Sequence, residues 1–369
     1  MSSETLRQTP HFRMRTPLNT SLLRLRSEAI NSLGNFFSEE QVHQTHPPIM
    51  TSSDCEGAGE VFEVNNGPRD NMFFKTPMNL TVSSQLHLEA LAQALGDVWT
   101  LSPTFRAERS DTSRHLTEFY MLEAELSFVD DMEHVLDFIQ KMLRAMVQDL
   151  SQGKAYTELE EARQGSKETL EGRTLDELDS VEEVQRRWTG MLDPARWPRI
   201  TYDDAVELLQ QYSHEFEAQA KWGEGLRSEH ERFLAKKIGY DQAIDGYRPI
   251  FVTHYPREIK AFYMRQTVQE SQERTLVDCF DLLVPDLGEL AGGSMREHRL
   301  SRLLDNMSYF GFDDHAKKSL KWYLELRKWG CPPHGGFGVG FDRLLSYLTG
   351  VKSVRDIVPF PRVFGREDF

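Results

Sequence analysis

Two stretches decide how this chain is read. The first is Thr104-Phe105-Arg106-Ala107-Glu108-Arg109, continuing as Thr112-Ser113-Arg114-His115-Leu116-Thr117-Glu118-Phe119. The second, far downstream, is Gly335-Gly336-Phe337-Gly338-Val339-Gly340-Phe341-Asp342-Arg343. Together they supply guanidiniums, an imidazole, carboxylates and an aromatic ring beside what reads as a glycine-rich turn. Such groups suit a polyphosphate nucleotide. Arginine's planar fork binds carboxylate and phosphate alike, so Arg106 could bridge two reactants. His115 could meet a terminal phosphate. Arg343 could cover one face of an adenine while touching phosphate, and Phe119 could cover the other.

Attack of a carboxylate on the α-phosphorus of ATP gathers negative charge on a five-coordinate phosphorus. A protein that catalyses it must neutralise that charge and keep attacker and leaving group in line. Pyrophosphate leaves with magnesium, which prefers a few carboxylates plus phosphate oxygens. Asp281 and Glu289, near the two ends of Phe280-Asp281-Leu282-Leu283-Val284-Pro285-Asp286-Leu287-Gly288-Glu289, can supply them. Taken singly, each element has a bland reading. A surface arginine or glutamate is usually a solvated charge, and a glycine run can be close packing of a strand on a helix. Neither a GxGxxG loop nor a Walker A sequence is present. The conjunction is what resists a purely structural explanation.

Composition narrows the alternatives. The formal net charge of -15 argues against nonspecific coating of nucleic acid, which needs a basic footprint. The basic run Arg13, Arg15, Arg24 and Arg26 leaves room for a local patch, with a solvated helix face as the bland reading. Cys55, Cys279 and Cys331 form no CxxC and read as reduced thiols. No apolar stretch is long enough to span a bilayer. The N-terminus lacks a hydrophobic signal core and is short for a transit peptide, so a cytoplasmic location is expected, with a mitochondrial one as the alternative.

Periodicity predicts a helix over Ser21–Gln41, strands at Val61–Val64, Leu80–Val82 and Val98–Leu101, a helix over Leu86–Leu95, a strand over Glu118–Phe128 and a helix over Met132–Leu150. From Ser151 to Pro198 the chain turns charged and poor in large apolar residues, which predicts an exposed helical insertion or mobile arm. A helix over Asp203–Tyr212 follows. Beyond it come strands at Ile250–Thr253 and Thr275–Leu283, and helices over Glu297–Tyr309, Ser319–Lys328 and Asp342–Leu348. Strands in runs with helices grouped outside them predict an α+β fold with a largely antiparallel sheet.

At this point the chain resembles the catalytic core of a class II aminoacyl-tRNA synthetase, of the organellar asparaginyl type. The family's motif 1 resembles the N-terminal helix through Pro47-Pro48, motif 2 resembles Phe105 to Glu125, and motif 3 resembles Gly335 to Leu348. Further matches are Thr51 to Glu60, Thr81 to Glu89, Ser228-Glu229-His230-Glu231-Arg232 and Gly288 to Glu297, and the likeness runs from His11 to Arg362. The resemblance implies an antiparallel sheet flanked by helices and a homodimer built on motif 1. It implies one catalytic domain over 1–369 with a charged helical insertion at about 151–198, and no N-terminal OB-fold barrel ahead of His11.

The resemblance also implies roles. Arg106 bridges the substrate carboxylate and the α-phosphate, and Arg343 assists. Glu108 faces the adenine amino group. Arg114, His115, Phe119 and Gly340 complete the ATP site, and Asp281 and Glu289 carry Mg2+. Glu56 and Gln85 hold the α-ammonium. Arg296 and Glu229 read the side chain, Glu229 being chosen over Glu231. The related aspartyl enzymes have a lysine where Leu88 stands, so the implied substrate is L-asparagine. Motif 3 normally has glutamate where Asp342 stands, which predicts altered positioning rather than loss of activity. With no barrel expected, the sequence favours a paralogue that passes or transforms the activated group without tRNA, by small-molecule ligation or amide-to-nitrile dehydration. The alternative is charging of tRNA(Asn). Asparagine synthesis from aspartate, and a non-catalytic regulator, rank lower.

Overall fold

Along Glu118–Ser127, Leu122, Ala124 and Leu126 alternate with Met121, Glu123 and Glu125. A strand puts alternate residues on opposite faces, so one face is aliphatic and the other carries two acids. The aliphatic face packs into the main core, and the acidic face is left to line a cleft. The rest of the fold is arranged around this strand. In a computed structural model, residues 3–52, 61–65, 67, 73–109, 112–169, 178–267 and 274–365 are described.

Eight strands form the central sheet: β1 His43–Gln44, β2 Val98–Phe105, β3 Glu118–Ser127, β4 Arg199–Thr201, β5 Ile250–Thr253, β6 Cys279–Val284, β7 Gly288–Met295 and β8 His334–Gly340. Their order is β1-β2-β3-β8-β7-β6-β5-β4. Only the outermost pairs, β1 with β2 and β5 with β4, are parallel. The sheet is therefore antiparallel in character, as the α+β reading expects. The helices flanking the sheet include α1 (Pro17–Glu39), α2 (Gln85–Leu95) and α3 (Met132–Gln152), and α1 and α3 bury Leu25, Leu33, Phe37, Val135, Ile139 and Leu143 against one face. A second core lies toward the β4 edge, under the helices Tyr202–Gln211 and Ser228–Gly239.

Helix α1 starts where its sequence says it should: Thr16 caps the backbone N–H of Asn19 and Pro17 fills the first turn. Other boundaries move. The strand expected over Thr275–Leu283 is β6, Cys279–Val284, and the helix expected from Glu297 begins at Leu300. The stretch Ser319–Lys328 divides between Asp314–Ser319 and Lys321–Lys328.

Two expectations need correcting. The glycine-rich stretch is no turn: Gly335 to Gly340 belong to β8, paired with β3 on one side and β7 on the other. A Cβ at Gly336 would stand 2.0 Å from Glu125 Oε2 and 2.4 Å from the Ala124 carbonyl oxygen, so no larger residue fits this strand as it lies.

The second correction concerns 151–198. Among its described residues, 151–169 and 178–198, it is helical, with α4 at Lys154–Thr169 and α5 at Val181–Leu192, and these are no exposed arm; 170–177 lie outside the described residues. Leu159, Val184, Trp188, Met191 and Trp197 are buried in the main core. Burying a charged stretch demands partners, and they are the carboxyl-terminal carbonyls of the helix Phe341–Thr349. Arg187 Nη1 donates to Tyr347 O (3.1 Å), Trp188 Nε1 to Leu348 O (2.7 Å) and Arg163 Nη1 to Thr349 O. These carbonyls lack intrahelical donors and carry the negative end of the helix dipole. Arg187 Nη2 also holds Asp179 (2.6 Å) and Asp286 (3.0 Å), the latter in the β6–β7 turn. No helix among the described residues is long and apolar enough to cross a membrane.

The buried Arg187 should therefore matter to stability more than its charged surroundings suggest. Both partner carboxylates keep some water, so Arg187→Met is expected to cost about 3 kcal/mol, the low end for a broken buried pair. Urea denaturation checks this, and an unchanged midpoint would show that the Arg187 cap and its ion pairs are dispensable.

Candidate active site

Strand β3 and the loop before it carry the motif-2 residues, and β7, β8 and the following helix carry the rest. All eight residues expected to hold ATP line one cleft of about 220 Å³: Arg106, Glu108, Arg114, His115, Phe119, Glu289, Gly340 and Arg343. Arg106 lies over the Phe119 ring, its guanidinium carbon 5.8 Å from the centroid. Glu108 stands 4.0 Å from Arg106 and 3.5 Å from His115 Nε2. Arg114 is tied back by donating to Leu287 O (2.9 Å) and to Ser228 Oγ. Arg343 reaches Glu289 O at 3.3 Å. Burial lowers the His115 pKa against the pull of Glu108, and the guanidiniums of Arg343, Arg114 and Arg106 lower it further. Three guanidiniums converge on this cleft, the donors a polyphosphate needs.

A second cleft of about 210 Å³ abuts the first, with Arg106 and Glu289 in the common wall. Gln85, Leu88, Asp281 and Arg296 line it. Leu88 is buried and presents only methyl groups there. Glu56 lies outside the described residues.

Glu229 is not in this cleft. Its carboxylate accepts from the backbone N–H groups of Glu217 (3.0 Å) and Ala218 (3.1 Å) and secures a loop. Besides Asp281 and Glu289, the acids that face the cleft are Glu123 and Glu125 of β3. Glu125 takes Arg296 in a two-pronged pair, Nε to Oε1 and Nη2 to Oε2, each at 3.0 Å. The alternation in β3 was the sequence signal for both. Glu231, passed over in favour of Glu229, lies nearer the cleft: its Oε2 accepts from Glu289 N at 3.2 Å. Burial, reinforced by the charges of Glu289 and Asp281, pushes its carboxyl up to about 7.

Asp281, Glu289 and Glu231 thus concentrate acid at one end of the second cleft. Burial and the charge of Asp281 also raise the Glu289 pKa. Lys260, which the sequence reading missed, places its Nζ 2.9 and 2.8 Å from the two oxygens of Asp281. Burial opposes the lysine's charge, but Asp281 keeps its pKa above the ordinary value. The carboxylate oxygens of Asp281 and Glu289 are of the type a hard cation such as Mg2+ takes, and a cation there would share Asp281 with the Lys260 ammonium.

Behind the cleft lies a buried ionic cluster of Glu89, Glu125, His334, Arg296 and Arg327. Ligand atoms of Glu89, Glu125 and His334 lie within 4.8 Å of one another, which by itself would suit a metal. The two guanidiniums already occupy those carboxylates, Arg327 on Glu89 and Arg296 on Glu125. The group therefore reads as an ion-pair network rather than a metal site.

Asp342, one position before Arg343, is structural. Its Oδ1 accepts from Arg26 Nη1 of α1 at 2.5 Å and its Oδ2 from Tyr120 N of β3 at 2.8 Å. The shorter acid joins all three motif segments.

With this geometry in place, comparison with known proteins is direct. The family model described as tRNA synthetases class II (D, K and N) matches residues 2–363. The mitochondrial asparagine--tRNA ligase of Saccharomyces cerevisiae is 40% identical over 97% of this chain and 71% of its own length. The asparagine--tRNA ligase of Desulfotalea psychrophila is 40% identical over 99% of this chain and 74% of its own length. Among solved structures, asparaginyl-tRNA synthetase from Pyrococcus horikoshii, complexed with asparaginyl-adenylate, matches with TM-score 0.78 and 30% identity over 100% of this chain and 74% of that one. The chain belongs to the class II tRNA synthetases of the D, K and N group, a family of ATP-dependent ligases.

Proposed function

We propose that this chain activates L-asparagine with ATP and transfers the asparaginyl group to tRNA(Asn). The observation that carries the reading is the shared wall: Arg106 lines both clefts, one rich in cations and the other polar and partly apolar. A carboxylate in the second cleft and an α-phosphate in the first would meet there. Arg106 then neutralises charge on both reactants as the bond to phosphorus forms. Phe119 and Arg343 hold the base between them, with Glu108 at its amino group, while Arg114 and His115 meet the outer phosphates beside Gly340. Asp281 and Glu289 would hold Mg2+, which would draw off charge from the departing pyrophosphate. In the second cleft Gln85 accepts from the α-ammonium. Arg296 donates to the side-chain carbonyl, and Glu123 or Glu125 accepts from the amide nitrogen.

As to the acceptor, the relatives' names support tRNA over the small-molecule acceptor expected from the sequence. A homodimer is part of the same reading, as is a cytoplasmic or, following the yeast relative's name, mitochondrial location. Asparagine-dependent exchange of pyrophosphate into ATP tests the activation step. Charging of tRNA(Asn) tests the transfer. Bulk AMP or a new amino-acid product formed without tRNA would return the reading to a small-molecule ligase.

Leu88 gives a sharper test of substrate choice. A lysine there would add a cation opposite a β-carboxylate. Leu88→Lys is expected to shift the ratio of asparagine to aspartate kcat/KM toward aspartate by about tenfold or more, the worth of one buried charge contact. A ratio unmoved in competitive exchange assays would remove Leu88 from the discrimination.

A further inference from the structure

Gln85 and Glu89 stand one turn apart on the helix Gln85–Leu95, on the same side. Gln85 Nε2 donates to Glu89 Oε1 at 3.0 Å. Glu89 is 0% exposed, and everything else that reaches its carboxylate is also a donor. Tyr323 OH lies 3.0 and 2.8 Å from its two oxygens, His334 Nε2 lies 3.1 Å away, and Arg327 Nη2 is in contact. His334 Nδ1 faces the Pro332 carbonyl at 2.9 Å, so both ring nitrogens meet acceptors and the ring is imidazolium. Burial works against the Glu89 charge, but Arg327 and His334 hold its carboxyl well below the usual range.

An ionised carboxylate can only accept. A glutamine that turns its nitrogen toward such a group must turn its oxygen the other way, and Gln85 lines the second cleft. An α-ammonium carries three donors and no acceptor, so it needs that oxygen. A glutamine free to flip would offer an N–H to the ammonium for part of the time. From this geometry we infer that Glu89 is a positioning residue: it locks the Gln85 amide with its oxygen toward the substrate α-ammonium. The same carboxylate ties this end of the cleft to the other. His334 bridges toward Glu125, 4.0 Å away, and Glu125 holds Arg296. The inference rests on the proposed binding of asparagine in this cleft and adds a residue that touches no substrate.

The test is a double-mutant cycle in asparagine-dependent pyrophosphate exchange. Gln85→Ala removes the acceptor and Glu89→Gln replaces the anchor with an amide that can present either end. Each single variant is expected to raise the asparagine KM about 10- to 100-fold, the worth of a hydrogen bond to a charged group. The ATP KM should change by less than about threefold, which also shows that the fold is intact. In the Gln85→Ala background, Glu89→Gln should change the asparagine KM by less than about threefold, because the group it positions is gone. Glu89→Asp keeps the charge against Arg327 and His334 while withdrawing it from Gln85. It is expected to give a smaller rise of the same kind, and it carries the cycle where Glu89→Gln does not fold. Additive effects on the asparagine KM, or equal rises in both KM values, would overturn the inference and leave Glu89 a structural node. An unchanged asparagine KM in Gln85→Ala would overturn it as well. Absence of exchange with the unaltered protein would instead remove the asparagine reading on which it stands.

Discussion

The site depends on two neighbouring strands in which glycine recurs where functional carboxyl groups come close. In β7 and β8, Gly293 pairs with Phe337, Gly292 with Gly338 and Ser294 with Gly336. A Cβ at Gly293 would fall 2.4 Å from the Phe280 ring and 2.5 Å from the Gly336 carbonyl oxygen. One at Gly336 would drive into Glu125, and Glu125 holds Arg296. Any added methyl group would therefore move the backbone or the acid, and the arginine would follow. These glycines let the acids of β3 lie across the sheet instead of standing off it. They also bring Asp281 and Glu289 close, since a Cβ at Gly292 would be only 3.3 Å from Glu289 Oε1 and 3.5 Å from Asp281 Oδ1. Glycine costs conformational entropy in a strand, and here the close approach of backbone to functional carboxylates offsets it.

The helix after β8 transmits this arrangement to the rest of the molecule. Its first turn carries Asp342 and Arg343. Asp342 joins α1 to β3, and Arg26 completes the junction by lying over the rings of Tyr120 and Phe341, 5.2 and 5.0 Å from their centroids. The last turn of the helix is capped by Arg163, Arg187 and Trp188, all from the charged segment. The position of Arg343 is thus fixed from both ends, by an acid at the start and by guanidiniums and an indole at the finish. That the carboxylate before Arg343 is an aspartate is explained by this junction, where it already reaches both partners.

What was legible in the sequence follows from what each signal measures. Amphipathic period located α1 and α3, and period two located β3, because both report which face is buried. The residues of the ATP cleft were legible because their types are chemically unusual together, and all eight do share one cleft. Three things were not legible. Period says nothing about a strand made of glycine, so β8 read as a turn. Charge composition says nothing about whether a guanidinium finds carbonyls, so the segment around Arg187 read as exposed. Of the acids near Glu229, sequence could not tell which face the cleft, because that depends on how the helix Ser228–Gly239 packs on β7. Glu229 points to a loop, and Glu231 points to the Glu289 backbone. Lys260 had no local signal, since its partner Asp281 is brought to it only by the tertiary fold.

The charges at the side-chain end of the second cleft explain why that end suits an amide. Glu89 and Glu125 are buried there against Arg296, Arg327 and His334, while Glu123 accepts from Ser84 N at 3.0 Å. Burial alone would discharge His334, but its contacts with Cys331, Glu89 and Glu125 push its pKa up to about 10, so it counts as a cation at neutral pH. Arg327 and His334 are held by Glu89, and Arg296 by Glu125, so each cation of the cluster is committed before any substrate arrives. Arg296 is committed to Glu125 on one edge and donates to Ser294 Oγ at 2.7 Å on another. It is therefore a hydrogen-bond donor in a balanced pair rather than a spare positive charge. A carboxylate entering this water-poor cluster, whose cations are already committed, would bring a charge with no partner of its own, the costly case for burial. An amide brings a dipole instead: its oxygen can take a donor from Arg296, and its nitrogen can meet an acid of β3. Leu88 completes the balance by adding an apolar wall and no charge. On the proposed asparagine reading, discrimination would come as much from the absence of an unpaired cation as from any contact made.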